Sequence, residues 1–140
     1  MTIEFDDTLV TKNELIDSQH QELISRIKQF VDSCGESSDK LKSIKMLDYL
    51  IEYTDFHFTA EEKLQEDVGY PGLEEHRKKH EEFKNTLRSL EDFLNESEGP
   101  TEAFVQQIQK TVVDWLFNHI KAFDRSVAEY IFLTDNPNRL

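Results

Sequence analysis

Apolar residues recur along most of the chain at steps of three and four, the spacing that places side chains on one face of an α-helix. The first such stripe follows Asp17 and Ser18, either of which is suited to capping a helix near that point. Its members are His20, Leu23, Ile24, Ile27 and Val31. Residues 34–38 have the composition of a loop, and Gly35 is a typical residue for ending a helix.

A second, longer helix is predicted from about Asp39 to Asp67. Its inner face carries Leu47, Leu50, Ile51, Thr54, Phe58 and Leu64. The segment 68–72 contains Pro71 and two glycines, which are unfavourable inside a helix, so we expect the helix to end there. A third helix follows, with alternating steps of four and three between His76, His80, Phe83, Leu87, Leu90 and Leu94.

Residues 95–100 form the next predicted loop, and Thr101 can cap a fourth helix. The apolar stripe of this helix contains Phe104, Val105, Ile108, Val112, Trp115, Leu116 and His119. Beyond Asp124 the helical period continues through Val127, Tyr130 and Ile131. At the two ends, we expect an extended arm over residues 1–15, held by Phe5, Leu9 and Val10, and a frayed tail over residues 134–140.

Four helices of roughly 20 residues or more, joined by short loops, are typical of antiparallel neighbours. We therefore predict an all-α fold, an antiparallel up-down-up-down four-helix bundle with an N-terminal arm. A chain of 140 residues is long enough to bury a core, and we expect a single domain over residues 1–140. Within it the arm spans about 1–16, the bundle about 17–133 and the tail about 134–140.

Charge narrows the range of partners. The 29 acidic residues outnumber the 16 basic ones, which gives a formal net charge of -13. This excess opposes binding to nucleic acid or to an anionic membrane surface. No apolar run is long enough to cross a bilayer, and residues 1–10 lack the basic and apolar regions of a signal peptide. The single cysteine, Cys34, fits a reducing compartment, so we expect a cytoplasmic location.

The predicted inner faces carry an unusual set of polar residues. All five histidines lie on core-facing stripes, and two carboxylates accompany them. The set is His20, His57, Glu61, His76, His80, His119 and Asp124. Any one of them alone is more often an ordinary hydrogen-bonded residue than a ligand. Together, inside a small bundle, they would be very hard to satisfy without a metal, because buried charge is costly unless it is paired or coordinated.

The ligand types and their spacing indicate two metal ions. Imidazole and carboxylate suit iron, manganese or zinc better than calcium or magnesium, and seven ligands exceed the four that a tetrahedral zinc takes. His57 and Glu61 are four residues apart, so both point to the same face of a helix. His119 and Asp124 are five apart, about 140° away from a common face. We therefore expect Asp124 to approach from a helix end or a local irregularity.

The combined pattern resembles hemerythrin, specifically the bacterial type. The motifs that carry the resemblance are Ile16-Asp17-Ser18-Gln19-His20, His57-Phe58-x-x-Glu61-Glu62, His76-x-x-x-His80 and Trp115-Leu116-x-x-His119-Ile120-x-x-x-Asp124. They extend over nearly the whole chain, and their combination is highly specific. Myohemerythrin is itself a known up-down bundle. The resemblance implies reversible O2 binding at a non-haem di-iron centre with an oxo or hydroxo bridge.

The resemblance also implies how the ligands are shared. One iron would be held by His76, His80 and His119, the other by His20 and His57, and both would be bridged by Glu61 and Asp124. The first iron would then be fully coordinated, and the second would keep one open position for O2. By the same analogy, the apolar lining of the O2 pocket falls on Leu116, Trp115 and Phe58.

Two positions differ from many bacterial relatives, which carry tryptophan in place of Phe5 and methionine in place of Gln65. Near the site, Gln65 would either admit water or offer a hydrogen bond. The favoured function is oxygen storage, delivery or buffering, without enzymatic activity. The alternatives are O2 or redox sensing through a partner protein, and a di-iron oxidase or peroxidase. The Glu-x-x-His pairs of ferritin-like oxidases are missing, which favours reversible binding.

Overall fold

The computed structural model describes residues 3–35 and 40–135, and within these ranges it contains four long helices and no strand. The first three are α1 (Glu14–Gly35), α2 (Lys40–Val68) and α3 (Leu73–Glu96). The fourth, α4, occupies residues 102–135 as three α-helical segments, Glu102–Ile108, Trp115–His119 and Arg125–Asp135, joined by two π-helical segments, Gln109–Asp114 and Ile120–Asp124. Each helix packs on the next, and α4 closes the ring against α1. The predicted four-helix bundle is confirmed.

The start of α1 differs from the prediction. The helix begins at Glu14, three residues before Asp17, and the side-chain oxygen of Asn13 accepts the N–H of Ile16 at 3.0 Å in the manner of a helix cap. Asp17 does not cap the helix. Its carboxylate instead accepts the N–H of Thr11 at 3.0 Å and that of Lys12 at 3.2 Å. Asp17 therefore fastens the arm to α1, just where Lys12 takes a left-handed conformation with φ of 72°.

The N-terminal arm is only partly extended. It contains a short 3-10 turn at Asp7–Leu9, in which the carboxylate of Asp6 accepts the N–H of Thr8 at 2.9 Å. Leu9 is completely buried, so the arm contributes to the core as expected. From the other side, the guanidinium of Arg125 on α4 donates to the carbonyl oxygen of Thr8.

The remaining boundaries differ from the prediction by one or two residues. Cys34 and Gly35 belong to α1 and residues 95–96 to α3, although both pairs were expected in loops. Residues 134–135 continue α4, and the predicted tail residues 136–140 lie outside the described ranges, as do loop residues 36–38 and Asp39. Thr101 caps α4 as predicted, since its hydroxyl accepts the N–H of Phe104 at 3.1 Å.

The apolar core has two parts. The larger cluster contains most of the predicted stripes, including Leu23, Leu47, Phe58, Phe83 and Leu116. It also contains Val113 and Ile120, which lay outside the predicted stripe of the fourth helix. The smaller cluster is formed by Ile16, Val127, Ala128 and Ile131, with Leu64, Val68 and Tyr70 packed on it. Along α1, α2 and α4 the histidines and carboxylates of interest fall between members of the two clusters, and on α3 they precede the members of the larger one. The bundle therefore encloses a polar layer with apolar packing above and below it.

Replacing Asp17 with Ala should destabilise the protein, because the N–H groups of Thr11 and Lys12 lose their acceptor. We expect a decrease of about 1–3 kcal/mol in the free energy of unfolding by urea. Amide hydrogen exchange at both residues should become faster. The matched control is Asp32→Ala on the exposed face of α1, which should stay within about 0.5 kcal/mol of the parent. Equal stabilities of the two variants would rule out this anchoring role.

Candidate metal centre

The structure brings all seven predicted residues into one buried cluster. Each helix contributes at the same level of the bundle: His20 from α1, His57 and Glu61 from α2, His76 and His80 from α3, and His119 and Asp124 from α4. The most exposed of them, His119, has only 4% of its surface accessible. Their ring nitrogens and carboxylate oxygens form two groups that share the carboxylates.

The larger group gathers three imidazoles around one oxygen of each carboxylate. His76 Nε2 lies 3.0 Å from Glu61 Oε1 and 2.8 Å from Asp124 Oδ1. His80 Nε2 is 3.3 Å from the same oxygen of Glu61, and His119 Nε2 is 3.2 Å from the same oxygen of Asp124. All five donor atoms lie within 4.8 Å of one another. A single cation can be reached by all of them.

The smaller group uses the opposite carboxylate oxygens. His20 Nε2 lies 2.8 Å from Asp124 Oδ2 and 3.9 Å from Glu61 Oε2. His57 Nε2 is 3.4 Å from Glu61 Oε2. These four donor atoms again lie within 4.8 Å of one another. Glu61 and Asp124 therefore each turn one oxygen towards the larger group and the other towards the smaller group, so each carboxylate could contact a cation in both groups.

Many of these buried atoms have no hydrogen-bond partner. They include both oxygens of Glu61 and of Asp124 and the Nε2 atoms of His20, His57 and His80. Several contacts are as short as 2.8 Å, yet their angles are not those of hydrogen bonds. An unpaired polar atom in the interior costs about 1–3 kcal/mol, and more when it is charged. Two cations, one in each group, would satisfy the whole set, so the donor atoms fit a pair of metal ions.

The electrostatics keep both carboxylates ionised. Burial and the neighbouring charge of Asp124 raise the pKa of Glu61, but the close imidazoles of His76 and His80, with Nε2 atoms 3.0 and 3.3 Å from Oε1, outweigh them, and the net shift is downward. Burial likewise raises the pKa of Asp124. The close imidazoles of His119, His20 and His76 more than offset this and hold the pKa of Asp124 well below the usual 3.8. The cluster thus presents two negative charges to whatever cation enters it.

The pKa values of the imidazoles are shifted in different directions. Burial lowers the pKa of His57 to about 4, so this ring is neutral near pH 7 and free to coordinate through Nε2. For His76, burial acts in the same sense, but the carboxylates of Asp124 and Glu61, 2.8 and 3.0 Å from Nε2, raise the pKa to about 9. Without a metal ion, these carboxylates favour a proton on Nε2 of His76, and a metal ion that binds there would displace it.

A π-helical turn explains how Asp124 reaches the site. In a regular α-helix, Asp124 would point about 140° away from His119. The segment Ile120–Asp124 is instead π-helical, and the N–H of Arg125 donates to the carbonyl of Ile120, five residues earlier. Such a turn holds one more residue than an α-helical turn, so residues five apart come onto the same face. The expected local irregularity is present.

Three of the five rings are held by hydrogen bonds on their other nitrogen. His57 Nδ1 lies 2.7 Å from Gln19 Oε1, and His80 Nδ1 lies 2.7 Å from Glu62 Oε2. Gln65 makes the third contact, with His76. The acceptor oxygens of Gln19 and Glu62 fix the orientation of the His57 and His80 rings and strengthen their opposite nitrogens as metal donors. Gln65 was identified from the sequence as a residue near the site, but no role was predicted for Gln19 or Glu62. In the chain, Gln19 directly precedes His20 and Glu62 directly follows Glu61.

Aromatic rings support two of the imidazoles by stacking. Phe58 lies parallel to His80, with ring centroids 3.8 Å apart, and Trp115 lies nearly parallel to His119 at 4.5 Å. Phe123 also stacks on His119, at 5.1 Å, and was not predicted because its direction depends on the π-helical turn. Leu116, the third predicted pocket residue, is completely buried in the larger apolar cluster.

Comparison with known proteins identifies the family. Residues 11–131 match the family model described as the hemerythrin HHE cation binding domain. This chain belongs to the hemerythrin family. A bacteriohemerythrin from Stenotrophomonas maltophilia is 30% identical over 118 residues, covering 84% of this chain and 74% of that protein. A myohemerythrin from Riftia pachyptila is 31% identical over 120 residues, with 86% of each chain covered.

Solved structures show the same fold. A crystal structure of wild-type hemerythrin superposes with a TM-score of 0.73 at 23% identity, covering 85% of this chain and 88% of that one. Among the described residues of this hemerythrin-family chain, no helix is long and apolar enough to span a membrane.

Removing bound metal should destabilise this hemerythrin-family bundle, because the buried carboxylates and imidazoles then lose their common partner. At free metal 1,000 times its dissociation constant, bound metal contributes about 4 kcal/mol to the free energy of unfolding. Thermal unfolding before and after chelation measures the difference. Adding ferrous iron back should restore the original midpoint. An unchanged midpoint after complete chelation would show that folding and metal binding are not coupled.

Proposed function

We propose that this chain binds O2 reversibly at a di-iron centre formed by the seven clustered residues. The observation that carries the proposal is the division of donors, three imidazoles on one side and two on the other, with Glu61 and Asp124 facing both. The names of the relatives, bacteriohemerythrin and myohemerythrin, support the same conclusion. Iron suits a mixed set of imidazole and carboxylate ligands.

The unequal division gives the two metal positions different tasks. The larger group offers five donor atoms and the smaller group four, so a six-coordinate metal ion held by the smaller group would have more room for an added ligand. O2 would therefore be taken up beside His20 and His57. Two ferrous ions would supply the electrons that reversible O2 binding requires.

We expect the aromatic and apolar side chains beside the cluster to keep water away from it. Phe58 and Leu116 are completely buried, and Trp115 covers the face of His119. A dry, apolar environment slows the loss of reduced oxygen species and so favours release of O2 over oxidation of the iron. Within the described part of the chain, the titratable groups that reach the cluster are the candidate ligands and Glu62. This favours carriage, storage or buffering of O2 over an oxidase or peroxidase reaction.

Sensing of O2 or of redox state is the second candidate function. The acidic surface gives no specific support for the partner protein that sensing requires. A sensor would pass a change at the metal centre to a partner protein. The polar layer draws a residue from every helix, so such a change would be felt across the bundle. Storage or delivery needs no such partner and is the simpler proposal.

The direct test combines metal analysis with optical spectroscopy. We expect two irons per chain and an absorption band that appears when air is added to the reduced protein and disappears when O2 is removed. Turnover of an added reductant or peroxide with permanent loss of the band would favour an enzyme instead. One zinc per chain, or no metal after growth with ample iron, would refute the di-iron proposal.

Replacing Leu116 with Ala should open the apolar wall without removing a ligand. We expect both irons to remain, and conversion of the oxygenated form to the oxidised form to become faster as water enters. The control is Leu94→Ala, an equally buried leucine on α3 and 14 residues beyond His80. Either variant should lose about 2–5 kcal/mol of stability, so rates are compared well below the melting transition. Equal oxidation rates in the two variants would mean that another residue guards the O2 position.

A further inference from the structure

Gln65 makes a contact that the proposed function does not use. It lies on α2, four residues after Glu61, and is completely buried. Its side-chain Nε2 is 2.8 Å from Nδ1 of His76 on α3. The other end of the amide, Oε1, has no partner among the described residues. A buried amide in an apolar bundle is costly, so this contact with a candidate ligand is the reason to ask what Gln65 contributes.

The chemistry of His76 determines which end of the amide it needs. Nε2 of this ring faces Glu61 Oε1 at 3.0 Å and Asp124 Oδ1 at 2.8 Å, so Nε2 is the atom that meets a metal ion. A neutral imidazole that coordinates through Nε2 carries its proton on Nδ1 and must donate it. An amide exchanges its two ends by a half-turn about its last side-chain bond, and only the carbonyl end accepts this proton.

We infer that Gln65 is a positioning residue for His76, and that its amide oxygen accepts the Nδ1–H of the metal-bound ring. This inference rests on the proposed di-iron function. The hydrogen bond links α2 to α3 on the side of the His76 ring away from the metal. It holds the ring in the orientation that lets Nε2 reach the metal, and it makes Nε2 a stronger electron donor. Gln65 thus acts on the metal through His76 without touching it.

The partners of the other imidazoles indicate how a neutral amide at position 65 affects His76. Glu62, which holds His80, is a carboxylate, and its charge is shared with Arg77 at 3.2 Å. A carboxylate behind an imidazole draws its proton more strongly than an amide does and increases electron donation to the metal. The amide of Gln65 therefore increases electron donation by His76 moderately, whereas an apolar residue at position 65 would not increase it. Stronger donation favours the ferric state and lowers the reduction potential.

Two substitutions at Gln65 separate hydrogen bonding from packing. Gln65→Met keeps the length of the side chain and removes the acceptor, whereas Gln65→Glu keeps an acceptor and adds charge. Gln106→Met, on the exposed side of α4, is the control for the same change away from the site. We expect Gln65→Met to bind ferrous iron about 10–100-fold more weakly in competition with a chelator. Gln65→Glu should retain iron much better, and Gln106→Met should match the parent.

Two further readouts report on the hydrogen bond itself. In the iron-loaded protein, the exchangeable N–H proton of His76 should exchange with solvent roughly 3–10-fold faster in Gln65→Met, which corresponds to the loss of one hydrogen bond. The reduction potential should be lowest in Gln65→Glu, intermediate in the parent and highest in Gln65→Met. A residue that only fills space would change iron retention without producing this order.

The inference would be overturned by equal potentials in all three proteins together with unchanged N–H exchange in Gln65→Met. Failure of the di-iron proposal gives a different result, namely a parent protein that holds no iron. In that case the ¹⁵N resonance of His76 Nδ1 in the metal-free protein still tests the contact. A shift between the parent and Gln65→Met would support the contact, and an identical resonance would overturn it.

Discussion

Glu61 and Asp124 are two negative charges buried side by side, and the rest of the bundle is arranged around that fact. Carboxylates in this position are stable only if cations or strong donors face every oxygen. The surrounding imidazoles supply the first part of the answer, and the pKa of each carboxylate is lowered as a result. Their geometry leaves many lone pairs unpaired, and metal ions supply the second part.

This requirement explains features of the fold that packing alone does not. All four helices must present their polar residues at one level, so apolar clusters lie on both sides of that level and keep water out. Helix α4 must supply both His119 and Asp124, and a regular helix cannot aim both at one place. The π-helical segment Ile120–Asp124 solves this locally, as π-helical turns frequently do at functional sites. The stacked rings and side-chain hydrogen bonds around the imidazoles then limit their rotation.

Much of this was accessible from the sequence because helical periodicity is a strong signal. The four-residue spacing of His57 and Glu61, and of His76 and His80, is enough to put each pair on one helical face. The start of α1 was misplaced because Asn13 and Asp17 are both good capping residues, and the choice between them depends on which one the arm engages. The irregularity at Asp124 could be expected, but its π-helical form could not, because it follows from packing rather than from local preference. The supporting residues Gln19 and Phe123 were missed because their contacts reach another helix or depend on that turn.

The central claim is that the seven residues hold two irons with an unequal division of imidazoles. A crystal structure of the iron-loaded protein, with anomalous diffraction measured on both sides of the iron absorption edge, tests it directly. The account predicts two iron peaks, one bonded to three imidazoles from α3 and α4 and one bonded to the imidazoles of His20 and His57. Both carboxylates should span the pair. A single peak, or two peaks with the imidazoles divided in another way, would contradict it.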